Sequence, residues 1–197
     1  EELLFFIRGD TDTTSLANIG VNIWNGNTTP SFIEDRGLPY AKGVMGPMYG
    51  YQWRSYNRPY KVDEYGRPVL HDDSDVGIDQ IKQVVDLIRT DPTSRRILMT
   101  TYNPIQAEEG VLYPCHSIVN QFYVRGDELD MSCYNRSQDL FLGTPYNIAS
   151  SSILLMIVAK LTNKKPGIFT LMMGDTHLYE THLKQAATQE MRIPFES

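Results

Sequence analysis

The chain has 197 residues, of which 41% are hydrophobic and 21% are charged, a composition typical of one globular domain with a sizeable core. Its formal net charge of −6 argues against a protein that holds DNA by bulk electrostatic attraction. Only two cysteines occur, Cys115 and Cys133, so a disulfide framework is excluded and a reducing, cytoplasmic location is expected. The apolar run at residues 148–161 is interrupted by serines and contains Lys160, which predicts a buried helix and no membrane span.

The first part of the chain is rich in loop signals. Residues 2–8 predict a short buried helix that ends at Gly9, and residues 14–19 predict a second one. Residues 25–47 carry repeated glycine and proline and predict a long loop, as do the polar residues 56–75.

From Val76 onward the pattern becomes regular. Apolar residues at three- and four-residue steps (Ile78, Ile81, Val84, Val85 and Ile88) predict an amphipathic helix. Residues 97–102 predict a strand, and residues 117–124 and 129–136 predict two more, joined by a hairpin turn at residues 125–128. A long helix is predicted over residues 147–161, with Ile148, Ile153, Leu154, Ile157, Val158 and Leu161 inside. A strand at 168–173 and a last helix after Glu180 complete a mixed α/β domain.

Cys115 lies just before a predicted strand, in the sequence PCH. Such a cysteine is more often a small packed apolar residue than a nucleophile. As a nucleophile it would need positive charge nearby, which Arg136 or the pair Arg95 and Arg96 could supply. These arginines are either surface ion-pair partners or a clamp for a phosphate dianion.

Two polar positions around the long helix and the last strand leave alternatives open. Asn147 is either the N-cap of the long helix or an amide that reads the edge of a nucleobase, because one amide offers a donor and an acceptor. His177 and Tyr179, two residues apart on a predicted strand, should face the same side. They would either bind a sugar hydroxyl or remain half-buried polar residues.

The sequence RSQDLFLGTPYNIAS at residues 136–150 resembles the signature segment of thymidylate synthases. The resemblance continues in the same order over nearly the whole chain. The further segments are ELL and RGDT (residues 2–4 and 8–11), IW (23–24), GPMYGYQWR (46–54), RR (95–96), PCH (114–116), QFYV (121–124) and GDTHLY (174–179).

The resemblance implies a role for each catalytic position. Cys115 would be the nucleophile that adds to C6 of the uracil ring of dUMP. Arg136 would contact the phosphate and favour the Cys115 thiolate. Glu2 would organise water and move protons, and Tyr49 would assist removal of the proton at C5. Asn147 would pair with N3 and O4 of the base.

The remaining roles implied by the resemblance concern binding. Ser137, Asn135, His177 and Tyr179 would complete the dUMP site, the last two at the ribose 3′-hydroxyl. Asp139 and Trp24, with Glu2, would hold the folate. The co-substrate would be 5,10-methylenetetrahydrofolate, which serves as carbon donor and reductant, and no metal is expected.

The resemblance also implies a single catalytic domain over residues 1–197, in which both ends look cut. The expected fold is α/β (α+β), the three-layer thymidylate synthase fold with a mixed sheet flanked by helices. Two subunits would pack sheet against sheet as a homodimer, with Arg95 and Arg96 reaching the partner's phosphate. No membrane or DNA partner is expected, and a fragment of this length should bind dUMP poorly.

Two departures from the family pattern stand out. Position 135 is Asn where the family usually has Gln, and one extra residue separates His116 from Gln121. The extra residue predicts a β-bulge close to the nucleophile.

Alternatives to the methylation reaction remain. A dCMP hydroxymethylase would need an acid at position 147, so Asn147 argues against it. A dUMP hydroxymethylase of the same fold is the main alternative, with retained Trp24 favouring hydride transfer. A non-catalytic role is disfavoured by the full set of catalytic residue types.

Overall fold

A computed structural model of the chain describes residues 1–69 and 75–194. The helices are α1 to α7, in chain order Glu2–Arg8, Thr14–Ala17, Pro30–Asp35, Gly50–Ser55, Gln80–Thr90, Gly143–Leu161 and Leu183–Glu190. The strands are β1 to β4, in chain order Leu98–Thr100, Val119–Arg125, Glu128–Asp139 and Lys165–His177. Short 3₁₀ turns occupy Asn25–Thr28, Ala107–Glu109 and Glu180–His182.

The four strands form one mixed sheet in the order β1-β2-β3-β4. The first three strands are antiparallel, and β4 runs parallel to β3 after the crossover helix α6, which packs on both. Helix α5 packs against β1 and α4, and α4 crosses α1. The predicted α/β architecture, a mixed sheet flanked by helices, is therefore confirmed, and so is the hairpin turn between β2 and β3.

Local sequence explains where several helices begin and end. Thr29 caps α3 by accepting a hydrogen bond from the Phe32 amide, with Pro30 in the first turn. Asp79 caps α5 through the Lys82 amide. Gly9 ends α1 in the left-handed region, as predicted.

Helix α1 crosses α4 at very short range, and a glycine permits the approach. A Cβ atom added to Gly50 would lie 2.3 Å from the Phe6 carbonyl oxygen and 2.4 Å from its Cα. Because the two helices cross so closely, Glu2 at the start of α1 lies near the segment that precedes α4.

Several predictions about elements were wrong. Residues 25–47 are not one loop, because they contain a 3₁₀ turn and α3. The long helix begins four residues earlier than predicted, at Gly143. Of its predicted inner residues only Leu154 and Val158 are fully buried, whereas Ile148, Ile153 and Leu161 are 43%, 49% and 50% exposed. The last strand is much longer than 168–173. The predicted loop at 56–75 falls partly on residues 70–74, outside the described residues.

The irregularity predicted between His116 and Gln121 lies just before strand β2. Strand β2 pairs with β3 in unbroken register from Val119 opposite Tyr134. Before Val119 the pairing leaves this register, because the Ile118 amide donates to the Tyr134 carbonyl and the Arg136 amide to the Cys115 carbonyl. This bears out a bulge close to Cys115, and Ser117 within it adopts a positive φ of 52°. A left-handed residue turns the chain sharply, so it takes up one position without disturbing the ladder from Val119 onward.

Candidate active site

Cys115 is held at the sheet by the backbone of β3. The Arg136 amide donates to the Cys115 carbonyl at 3.0 Å, and the Ser137 amide lies 3.4 Å from the same oxygen. Cys115 is a partly exposed free thiol. Cys133, by contrast, is fully buried in β3, and burial raises the pKa of its thiol. Cys115 is therefore the cysteine that a ligand can reach.

Tyr49 approaches Cys115 through its phenol oxygen. The Cys115 amide donates to the Tyr49 Oη at 3.1 Å, and the same oxygen lies 3.5 Å from the Cys115 Sγ. Tyr49 has a positive φ of 43°, a costly conformation for an aromatic residue, and it is 2% exposed. Burial, with the neighbouring Cys115, raises the pKa of Tyr49 well above its usual range. The phenol keeps its proton and is able to donate it to a thiolate.

Glu2 and Trp24 form a second polar pair beside the tyrosine. The Trp24 indole N–H donates to the Glu2 carboxylate at 2.8 Å. The Trp24 ring packs edge-on against Tyr49 and Phe6, with centroids 5.9 and 6.4 Å apart. Burial raises the pKa of Glu2, and the bond from Trp24 only partly offsets this. Glu2 therefore retains a proton at higher pH than an exposed glutamate.

A narrow cavity extends from Glu2 to the base-reading candidate, Asn147. Its lining comprises Glu2, Leu3, Phe6, Trp53, His116, Ser117, Asn147, Ser150, Ser151 and Leu154. Residues from α1, from the segment after Cys115 and from α6 thus converge on one space, although they are far apart in the sequence. A wider cleft on the surface is lined by Arg8, Asp12, Arg54 and Arg67 among others, and it does not include His116, the neighbour of Cys115 that lines the narrow cavity.

Sequence reasoning missed His116 as a member of this site. Its ring stacks on Tyr49 at a centroid distance of 4.4 Å and an interplanar angle of 18°. Burial lowers the pKa of His116 to about 4, so the imidazole is neutral at physiological pH. The only sequence signal was its position directly after Cys115.

Arg136 lies beside the cysteine segment. Its guanidinium donates to the carbonyl oxygens of Pro114 at 2.7 Å and Tyr113 at 3.2 Å. The guanidinium forms no salt bridge to any described residue, so its other N–H groups remain available for an anion. Arg136 thus holds the backbone before Cys115 in place, and no described acidic side chain pairs with it.

Arg95 and Arg96 are not brought to this site within the chain. Both are exposed in the turn before β1. The opposite end of β1 is the one near the nucleophile, where the Thr101 hydroxyl donates to the Ser117 carbonyl at 3.0 Å. The chain between Arg96 and Thr101 spans roughly 16 Å at about 3.3 Å per residue. Their predicted action on a partner's site stays a prediction.

Asn147 is not a helix cap, because α6 begins at Gly143 and Asn147 lies in its second turn. Its Oδ1 accepts a hydrogen bond from the Gln138 side chain at 2.9 Å. Asn135, 1% exposed, accepts from the Ser117 amide and donates to Gln138. Gln138 is a second residue that sequence reasoning missed.

Asp139, His177 and Tyr179 gather at the end of the sheet. Asp139 and His177 are partners across β3 and β4. One Asp139 oxygen accepts from the amides of Phe141 and Leu142 at 3.0 and 3.2 Å, so it shapes the turn into α6. Tyr179 follows the end of β4, yet its ring contacts the His177 ring edge-on at 5.2 Å. The two rings lie together, as expected.

Two features are absent from residues 1–69 and 75–194. No group of three or more His, Cys, Asp or Glu side chains is placed to hold a metal ion. No helix in these ranges is both long and apolar enough to cross a membrane.

The accessible Cys115 with the Tyr49 phenol against it, beside a cavity lined by the Glu2 carboxylate and the neutral His116 imidazole, is an arrangement typical of enzymes that use a thiol nucleophile. The profile of the family described as "Thymidylate synthase" matches residues 1–197. The chain belongs to the thymidylate synthase family.

Individual relatives agree with this assignment. A thymidylate synthase of Herpesvirus ateles is 40% identical over 195 residues, covering 98% of this chain and 65% of the relative. The thymidylate synthase of Homo sapiens is 40% identical over 195 residues, covering 98% and 60%. A bifunctional dihydrofolate reductase-thymidylate synthase of Leishmania major is 41% identical over 197 residues, covering 98% and 36%. The chain thus spans between about a third and two thirds of the length of these relatives.

Proposed function

We propose that this chain carries the catalytic site for the reductive methylation of dUMP to dTMP, with 5,10-methylenetetrahydrofolate as co-substrate. The observation that carries the proposal is the contact of Tyr49 with Cys115 beside the cavity that Glu2 and Asn147 line. Membership of the thymidylate synthase family supports the same reaction.

The reaction begins at the cysteine. The Cys115 thiolate adds to C6 of the uracil ring, and the C5–C6 electron pair moves through C4 onto O4 to give an enolate. The Tyr49 hydroxyl, 3.5 Å from the sulfur, stabilises the thiolate before attack. The Asn147 amide donates to the developing negative charge on O4. The ring thereby becomes a carbon nucleophile at C5.

Later steps require proton transfer and cleavage of the covalent bond between the enzyme and the nucleotide. Bound methylenetetrahydrofolate supplies the one-carbon unit and the hydride. Tyr49 assists departure of the C5 proton, and Glu2, whose pKa is raised by burial, exchanges protons with the base through water. Breaking the bond from Cys115 to C6 then restores the thiolate.

The residues present fit a folate. Glu2 and Trp24 are already joined, and they present a carboxylate and an indole edge beside the cavity. Asp139 uses Oδ1 for backbone amides, while no described residue hydrogen bonds its Oδ2, which remains free for a ring N–H. These three residues would hold the folate beside the base.

The nucleotide's remaining groups would be bound at the sheet edge. Arg136 and Ser137, next to Cys115, would hold the phosphate. Arg95 and Arg96 of a second subunit would complete the phosphate-binding site. Asn135 would support the base site from within the core. His177 and Tyr179 would bind the ribose 3′-hydroxyl.

A homodimer is supported by the face of the sheet that points away from the core. Strand register places several large side chains on that face: Leu98, Tyr123, Tyr134 and Met172, which are between 39% and 65% exposed. An apolar patch of this kind on a sheet favours association of two copies. Two free cysteines support a reducing compartment, and we propose the cytoplasm.

The test uses the full-length protein with 5-fluoro-dUMP and methylenetetrahydrofolate. A covalent adduct is expected by intact mass spectrometry in the wild type and in Cys133→Ala, which is the matched control because it removes the buried cysteine. No adduct is expected in Cys115→Ala. A protein that forms no adduct in any version would contradict the proposal and revive a non-catalytic role.

A second assay distinguishes reduction of the one-carbon unit from attack by water in the last step. With dUMP as substrate, the near-ultraviolet absorbance of dihydrofolate should rise, because reduction of the one-carbon unit oxidises the folate. Consumption of dUMP without that rise would mean that water completed the reaction, and the protein would be a dUMP hydroxymethylase.

A further inference from the structure

Three side-chain amides form a directional relay behind the cavity. The Ser117 amide donates to Asn135 Oδ1 at 2.7 Å, Asn135 Nδ2 donates to Gln138 Oε1 at 2.6 Å, and Gln138 Nε2 donates to Asn147 Oδ1 at 2.9 Å. Ser117 is 6% exposed, and Asn135 and Gln138 are each 1% exposed, so water does not compete for these bonds.

The direction of this relay is determined by groups that cannot reverse. A backbone N–H only donates, so Ser117 requires the oxygen of Asn135 to face it. The nitrogen of Asn135 must then face Gln138, whose oxygen must face Asn135. A second contact fixes the direction of the Gln138 amide. The Thr144 hydroxyl donates to the Asp139 carbonyl, so it accepts from Gln138 Nε2, at 3.0 Å.

The relay leaves one orientation for Asn147. Its oxygen faces Gln138, since a flipped amide would set two N–H groups against each other. The second lone pair of that oxygen and both protons of Nδ2 remain for a ligand, and no described residue accepts from Nδ2. Uracil offers a donor at N3 and an acceptor at O4, which match this amide. Cytosine offers an acceptor at N3 and a donor at N4, which match only the flipped one.

We infer that Gln138, held by Asn135 and Ser117, is a positioning residue that makes the Asn147 site selective for a 4-oxo over a 4-amino pyrimidine nucleotide. The inference rests on the proposed function and adds the physical origin of its base selectivity. It also gives a role to Asn135, one of the departures from the family pattern.

The test measures the dissociation constants of dUMP and dCMP by calorimetry on the full-length protein. Gln138→Met has a similar volume without polar atoms, and Asn135→Leu breaks the relay one step farther from Asn147. Each variant should lower the selectivity for dUMP over dCMP about tenfold, equivalent to about 1.4 kcal/mol. Tyr146→Phe is the control, because it removes only the hydroxyl of an exposed side chain next to Asn147, and its selectivity should match the wild type.

The ratio of the two constants separates positioning from packing. Loss of packing alone would weaken both nucleotides equally and leave the ratio unchanged. If the wild type prefers dUMP and both relay variants keep its ratio within twofold, the relay is refuted while the proposed function stands. If the wild type itself binds neither nucleotide, the proposed function fails first. Thermal unfolding of each variant verifies that it is folded, and either relay variant suffices for the test.

Discussion

His116 should make the fold sensitive to mild acid. Its pKa is about 4 in the folded protein and about 6.5 in an exposed histidine, because burial against Tyr49 opposes the charged form. Above pH 6.5 both states hold a neutral ring. As the pH falls from 6.5 towards 4, the unfolded chain binds a proton that the fold excludes, so stability is lost.

The size of the effect follows from the shift. The full difference corresponds to on the order of 3 kcal/mol, of which about 2.5 kcal/mol should be lost by about pH 4.5. Glu2 lines the same cavity, and its raised pKa acts in the opposite direction, because its protonation on the way down favours the fold. A comparison of variants is therefore needed to isolate His116.

The assay is urea unfolding of the wild type and His116→Phe at about pH 7.5 and pH 4.5, at one protein concentration. Phenylalanine keeps an aromatic ring on Tyr49 and cannot titrate. The free energy of unfolding of the variant, relative to the wild type, should rise by about 2.5 kcal/mol at the lower pH. Equal pH dependence of the two proteins would refute the reasoning.

Three further variants test separate features. Tyr49→Phe should slow tritium release from 5-tritiated dUMP about 10²-fold, because the hydroxyl beside Cys115 is lost; a change below twofold would contradict this. Gly50→Ala should destabilise the fold by about 3 kcal/mol in urea unfolding, since its Cβ would lie 2.3 Å from the Phe6 carbonyl, and an unchanged midpoint would exclude the close crossing. Asn120→Val should stabilise it by about 1–2 kcal/mol, because that amide is fully buried without a described partner; lower stability would indicate a bound water.

Sequence patterns were sufficient where a local rule decides the structure. Gly9 ends α1, Asp79 begins the helix that carries Ile81 and Ile88 inward, and the turn at residues 125–128 joins two alternating strands. Capping, periodicity and turn chemistry each act over a few residues, so they can be read from the chain directly.

Burial along α6 could not be read in this way. Apolar residues cover almost the whole circumference of that helix, so no periodic stripe marks the face that packs on β3 and β4. Leu154 and Val158 lie inside, whereas Ile153 does not. Only the docking of α6 on the sheet decides between them.

The sequence alone determined which family the chain belongs to, because collinear motifs extend over nearly its whole length, and it predicted which residue types would carry the chemistry. Tertiary structure decided which groups meet. Glu2 reaches Tyr49 only because α1 crosses α4 at Gly50, and His116 loses its charge only because other elements bury it. The direction of the Asn147 amide depends on a backbone N–H at Ser117. Burial, orientation and long-range contact are properties of the folded chain, and no local pattern encodes them.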